Sequence, residues 1–199
     1  LIAGELRRVN LPIPGRISNY NALAALSCGL ALGLPQKDSA AAQARAKGVR
    51  GRVEVLPTPA PYTVILDYAH TPDALENILN ACRGFAQNRL ICLFGCGGDR
   101  DRSKRPIMGA VAAELADLVV LTSDNPRTED PEAILEEILP GFQDWSTPVH
   151  VEPDRVKAIH WALDQGRAGD VILLAGKGHE TYQEISGEKR PLDEREVVG

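Results

Sequence analysis

Residues 62–85, YTVILDYAHTPDALENILNACRGF, change rhythm partway along. The first six are apolar or β-branched up to Asp67, with no polar alternation, as in a strand covered on both faces. After the turn DYAHTPD the apolar residues recur at helical spacing. Leu75, Ile78, Leu79, Cys82 and Phe85 share one face, and Pro72 suits the first helical position. A doubly covered strand leading into an amphipathic helix is the opening of a βαβ unit, so a parallel sheet is expected.

The same alternation continues downstream. RLICLF (89–94) reads as a strand, followed by a glycine-rich loop and a helix from about Arg105 to Ala116, with Ile107, Val111 and Leu115 on its apolar face. DLVVLTS (117–123) is a third strand. Asp130 and Pro131 supply the cap and first turn of a helix bearing Ile134, Leu135, Ile138 and Leu139. TPVHV (147–151) precedes a helix from about Asp154 to Gln165, DVILLAG (170–176) is a fifth strand, and YQEISGEKRPLDERE ends the chain as a Gly-turned hairpin and a terminal segment. The expected fold of residues 50–199 is α/β: a doubly wound, mostly parallel sheet with helices on both faces.

Upstream the character differs. NALAALSCGLALGLP (21–35) is apolar on all sides, as in a helix packed against a larger body, with Asn19 or Asn21 as its cap and Pro35 as its end. An Ala-rich helix follows over about Asp38 to Lys47. Two such helices cannot close a core, so residues 1–49 read as the tail of a preceding domain. The opening LIAGELRRVNLPIPG lacks Met and reads as the middle of a strand, the pattern of a fragment.

Composition bounds the function. Of 199 residues, 44% are hydrophobic and 25% charged, and the net charge is −5 with both signs interspersed. No basic stripe suggests a nucleic-acid partner. No apolar run reaches membrane-spanning length, and the start lacks the layout of a signal peptide. Cys28, Cys82, Cys92 and Cys96 form no CxxC pair and fit no zinc spacing; they read as reduced, buried thiols of a cytoplasmic protein. No metal site is expected from these residues.

In doubly wound sheets, ligands bind beyond the carboxyl ends of the strands. Four of the five strands end there in unusual loops: DYAHTPD, GCGGDRDRSKR, DNPRTED and GKGHE. Each has a plain reading. Asp67 and His70 suit a strand-end turn, the run from Arg100 to Arg105 suits a solvated face, and His150 and His160 invite no role. GCGGDRD also lacks the spacing of a dinucleotide fingerprint. Taken together, however, Arg100 and Arg127 match carboxylates, Asp124 and Glu180 match ammonium groups, and Gly176 offers a carbonyl. That mixture suits a zwitterion better than a phosphate.

Those four loops, as DYAHTPD, FGCGGDRDRSKRPIMG, DNPRTEDP and GKGHETYQ, resemble the Mur ligase family, which builds the peptide stem of bacterial peptidoglycan. The resemblance runs along nearly the whole chain, and DNPR resembles the motif of members that add meso-diaminopimelate. It implies a Rossmann-like C-terminal amino-acid-binding domain over 50–199, preceded over 1–49 by the helical end of a central ATP-binding domain. It places Arg100, Asp124, Asn125, Pro126, Arg127, Gly176 and Glu180 at the amino acid, and Asn21, Arg52, Asp67 and His70 at the nucleotide. GRISNYNALAAL departs from the family's commoner F-N-V-x-N form around Asn21. The implied chemistry is ATP-dependent: the D-glutamyl γ-carboxylate of a UDP-N-acetylmuramoyl dipeptide becomes an acyl phosphate, which an amine of diaminopimelate attacks.

The chain has no G-x-x-x-x-G-K-[ST] loop. The triphosphate cradle and most of the magnesium site are therefore expected elsewhere, no catalytic residue can be named, and the chain is expected to be inactive alone. It is expected to be a monomer without membrane insertion. Two other readings remain open: a Mur-type ligase adding another amino acid, and a non-catalytic amino-acid-binding module.

Overall fold

A computed structural model describes Val9, Leu11, residues 16–46 and residues 48–199. Apart from Val9 and Leu11, the opening stretch read as a strand lies outside the described residues, as does Lys47; the second helix, expected to reach Lys47, already ends at Ala44. The chain divides into two compact units, 1–49 and 50–199.

The first unit contains α1 (Arg16–Ala31) and α2 (Gln36–Ala44). They are tied by Gln43 Nε2, which donates to Ala22 O at 2.8 Å. α1 starts before both asparagines, so Asn19 and Asn21 lie inside it and cap nothing, and Pro35 precedes α2 rather than ending α1. Among the described side chains of α1 only Leu26 and Gly29 are buried, while Tyr20, Leu23 and Cys28 are exposed. Cys28 thus departs from the buried thiol expected of an all-apolar helix. Apolar residues become core only where a second surface covers them.

The second unit is built on a six-stranded sheet. Its strands are β1 (Glu54–Leu56), β2 (Thr63–Asp67), β3 (Leu90–Phe94), β4 (Leu118–Leu121), β5 (Val149–Val151) and β6 (Val171–Ala175), in the spatial order β1-β2-β6-β3-β4-β5. All neighbours run parallel except β1, which pairs antiparallel with β2. β1 has three residues and no apolar run, so sequence reading passed over it.

One face carries Ile65, Cys92, Phe94, Val119, Leu121 and Leu173 beneath α3 (Pro72–Arg83), α4 (Lys104–Leu115) and α5 (Pro131–Ile138). The other carries Val64, Leu66, Ile91, Leu93, Val120, Ile172 and Leu174 beneath α6 (Arg155–Gln165). Burial on both faces explains why β3 and β6 are hydrocarbon throughout. The caps follow the sequence chemistry. Thr71 Oγ1 accepts from Ala74 N, Asp130 from Glu132 N, and Asp154 from Val156 N and Lys157 N.

Two helical faces differ from expectation. Phe85 falls just beyond α3 and is 38% exposed. In α4, Ile107 is 51% exposed, and the buried stripe is Arg105, Met108, Gly109, Ala112 and Ala113. Small residues win because the backbone approaches closely: a Cβ on Gly109 would lie 2.5 Å from Ile138 O.

A separate hairpin, β7 (Tyr182–Ile185) and β8 (Glu188–Pro191), turns through Ser186 and Gly187, both with positive φ. The chain ends in α7 (Glu194–Val198).

Candidate functional site

Because β2, β6, β3 and β4 are adjacent and parallel, their four following loops share one edge of the sheet. The loop after β3 and the loop after β4 are joined backbone to backbone. Gly98 N donates to Asn125 O at 2.9 Å and Thr122 N to Phe94 O at 3.0 Å. A Cβ on Gly95 would sit 2.0 Å from Thr122 O, and one on Gly98 would sit 1.9 Å from Pro126 O. Neither glycine has positive φ. What requires them is the approach of a second loop.

Arg127 is held at φ 54°. A non-glycine residue there is strained, and such strain gathers at functional positions. Its backbone pairs with the hairpin through Arg127 N to Glu184 O at 3.0 Å and Ser186 N to Arg127 O at 2.6 Å. Its Nη1 donates to Gly98 O at 2.7 Å, and its Nε lies 3.7 Å from Glu184 Oε2. Arg100 is exposed on the same flank: a Cβ on Gly97 would be 2.9 Å from Arg127 Nη1 and 3.9 Å from Arg100 Cγ.

Asp99, also at positive φ, accepts from Thr128 Oγ1 at 2.7 Å and donates its own N–H to Glu129 Oε1 at 2.6 Å. Behind it, the buried Arg105 donates to Glu129 at 2.8 and 2.9 Å and to Glu137 at 2.7 Å. The Arg105 guanidinium, and then the Asp99 amide, hold the Glu129 carboxyl at about 2.

The centre of the cluster is a residue that sequence reading left out. Lys177 is fully buried, and its Nζ stands 2.9 Å from Asn125 Oδ1, 3.2 Å from Glu180 Oε2 and 3.5 Å from Asp124 Oδ1. Asn125 also accepts from Glu184 N at 2.9 Å, and Gln183 Nε2 donates to Asp124 O at 2.8 Å. Gly176 has φ 114°, and its missing Cβ points to within 3.8 Å of Asp124 Cγ. Asp124, Asn125, Pro126, Arg127, Gly176 and Glu180 therefore meet in one place. The only clue to Lys177 was its setting between two glycines at a strand end, which says nothing of burial.

Beside this lies a second group. Asp67 is buried and accepts from Val53 N and Ala69 N, each at 2.8 Å. The Arg52 guanidinium lies 4.8 Å from the centre of the Tyr68 ring, which stands 4.7 Å from His70 and 5.0 Å from His179. Lys104 Nζ donates to His70 O at 2.7 Å. Burial first, then the charges of Glu180 and Asp124, raise the Tyr68 phenol. Asn21 belongs to the first unit, exposed on α1. Among the described residues, no cluster of three or more His, Cys, Asp or Glu side chains is arranged to hold a metal ion. No described helix is long and apolar enough to cross a membrane.

Residues 51–178 match the family "Mur ligase, glutamate ligase domain". The chain is 46% identical over 188 residues to the UDP-N-acetylmuramoyl-L-alanyl-D-glutamate–2,6-diaminopimelate ligase of Clostridioides difficile (strain 630), covering 94% of this chain and 39% of that protein. It is 52% identical over 186 residues to the ligase of the same name from Synechococcus elongatus, covering 93% and 37%. A solved structure of a ligase with that name superposes with a TM-score of 0.75 at 40% identity, over 96% of this chain and 39% of the other. The chain thus spans about two fifths of the length of these relatives.

Proposed function

The chain belongs to the Mur ligase, glutamate ligase domain family, and on that premise we propose that residues 50–199 bind the incoming amino acid in an ATP-dependent ligase that joins meso-diaminopimelate to UDP-N-acetylmuramoyl-L-alanyl-D-glutamate. The names of the similar ligases support this reading. The observation that carries it is the pairing of opposite charges at one rim, with Arg127 beside Arg100 on one flank and Asp124 and Glu180 around Lys177 on the other.

A guanidinium fork takes a carboxylate in two parallel hydrogen bonds. Asp124 and Glu180 accept from an ammonium, and Gly176 adds a carbonyl. Meso-diaminopimelate carries carboxylate and ammonium on one carbon at its far end, where lysine has an ammonium alone. Holding that end leaves the other amine to attack the D-glutamyl acyl phosphate: its nitrogen bonds to the acyl carbon, phosphate leaves, and the amine loses a proton. Orientation is what these residues contribute to the rate.

For the nucleotide, Arg52 and His70 offer an exposed cation and an exposed imidazole. Asp67 shapes the segment that carries Arg52, through its bond from Val53 N. Asn21, on the first unit, is assigned to the nucleotide from the family resemblance alone. We read that unit as the end of the ATP-binding domain of a monomeric cytoplasmic enzyme. The described residues do not fit a magnesium ion, and we assign that site to another part of the ligase.

Calorimetry on the complete ligase with nucleotide present tests the reading, with meso-diaminopimelate against L-lysine. Meso-diaminopimelate binding is expected and lysine binding is not. Arg127→Ala should lower kcat/KM for meso-diaminopimelate by up to ~10⁴-fold, because a fitted polar contact is lost. An unchanged KM for meso-diaminopimelate in that variant, or equal binding of lysine, contradicts the assignment.

A further inference from the structure

Arg155 opens α6 and is wholly buried. Its Nη1 donates to Ser123 O at 3.1 Å and its Nη2 to Ala175 O at 2.9 Å. Those carbonyls immediately precede Asp124 and Gly176. They belong to the ends of β4 and β6, which are not neighbours, since β3 runs between them. One guanidinium therefore spans two strand ends across a third. Its Nε donates to Glu194 Oε1 at 2.7 Å, a carboxylate only 1% exposed. Among the described residues Glu194 Oε2 has no hydrogen-bond partner, so the polar attachment of that carboxylate is to Arg155.

The next residue extends the pattern. Arg195 donates to Gly178 O at 3.2 Å and to the Glu54 carboxylate, which in turn accepts Gly51 N at 2.6 Å. Two consecutive residues of the last helix are thus linked to the rim, Glu194 through Arg155 and Arg195 directly at Gly178 and through Glu54 at Gly51.

A buried guanidinium stripped of its counter-charge is strongly unfavourable, and a strand-end carbonyl left without a donor also costs free energy. Stability alone could be served by apolar side chains of the same size. Apolar side chains could not fix the distance between the two carbonyls. We propose that Arg155 and Glu194 are positioning residues for the amino-acid site: they set the separation between the loop of Asp124 and the loop of Gly176 and Glu180, although neither touches the ligand. The part concerning a ligand rests on the proposed function; the part concerning the loops does not.

Amide hydrogen exchange on the 199-residue chain with Glu194→Gln tests the loops without any ligand. Exchange at 124–127 and 176–180 should rise about tenfold while β3 and β4 keep their protection, since local opening is measured separately from global unfolding. Unchanged loop exchange, or an even loss throughout, overturns the proposal, because an even loss is what a merely stabilising pair predicts. Should that variant not fold, Glu194→Asp and Arg155→Lys keep the charges but shorten the reach, and the same local pattern is expected of them.

In the complete ligase, well below its unfolding temperature, Glu194→Gln should weaken meso-diaminopimelate binding by about ten- to a hundredfold, the scale of a misplacement near 1 Å. The KM for ATP should hold. Wild-type protein that binds no diaminopimelate sinks the proposed function, while the exchange experiment still decides the role of the pair.

Discussion

Asn125 donates its Nδ2 to Glu180 Oε2 at 2.9 Å, joining residues 55 apart in the chain. The same carboxylate oxygen lies 3.2 Å from Lys177 Nζ, whose other close partner is Asn125 Oδ1. The loops after β4 and β6 are therefore one structure organised around a buried cation. Asp124 and Glu180 are held as acceptors before any ligand arrives, and such preorganisation is worth most where water is excluded.

Lys177→Met should expose how much rests on that cation. With it gone, Asp124 and Glu180 lose their shared cation at 10% and 16% exposure, and Glu180 keeps only the Asn125 amide. Removing one partner from a buried pair costs about 3–5 kcal/mol, and the residual exposure of these carboxylates reduces that to about 2–3 kcal/mol. Urea unfolding of the variant gives the number; an unchanged midpoint would mean that the carboxylates do not depend on the lysine.

The Glu129 carboxyl, held at about 2 by Arg105 and then by the Asp99 amide, has an ordinary value of 4.5. A lowered value in the folded state means that the unfolded chain binds the proton more readily. Its stabilisation is complete above pH 4.5 and is lost as the pH falls from there toward 2. Glu129→Gln should flatten that part of the stability–pH curve, read from urea unfolding at a series of pH values. An identical acid slope in the two proteins would refute the coupling.

Two glycine substitutions separate crowding from backbone strain. Gly98→Ala puts a methyl 1.9 Å from Pro126 O, a backbone atom that cannot swing away. The two loops must part, at a cost of about 3 kcal/mol or more. Gly187→Ala meets nothing within 4 Å and carries only its φ of +79°, worth about 1–2 kcal/mol. Thermal unfolding that ranks them the other way round would count against the close approach.

Thiol labelling should discriminate sharply. Burial pushes Cys82 and Cys96 up to about 12 and Cys92 higher still, whereas Cys28 is exposed. At pH 8 iodoacetamide should modify Cys28 alone in the folded chain and all four cysteines in urea, since only a thiolate reacts. Mass spectrometry of the native protein showing Cys82 or Cys92 alkylated first would contradict the buried core.

Much of this protein is written locally. The apolar runs of β2, β3, β4 and β6, the face Leu75–Ile78–Leu79–Cys82, and the caps at Asp130 and Asp154 all follow from neighbours within about one helical turn or one strand. The four polar loops, and the side of the sheet they occupy, follow from strand order and direction. Even the turn of the hairpin is plain in Ser186 and Gly187.

Other features depend on partners far along the chain. Nothing near Lys177 marks it as buried; that comes from Asp124 and Asn125, more than fifty residues away. Arg155 and Glu194 look like ordinary surface residues until α6 and α7 bring them together beneath the rim. The exposed face of α4 falls on Ile107 because Gly109 must meet Ile138 O, and no periodicity records a collision. Hydrophobic period and turn chemistry act over short stretches and survive in the linear text. The burial of a charge is settled by whichever distant groups the fold sets around it, and those become neighbours only in three dimensions.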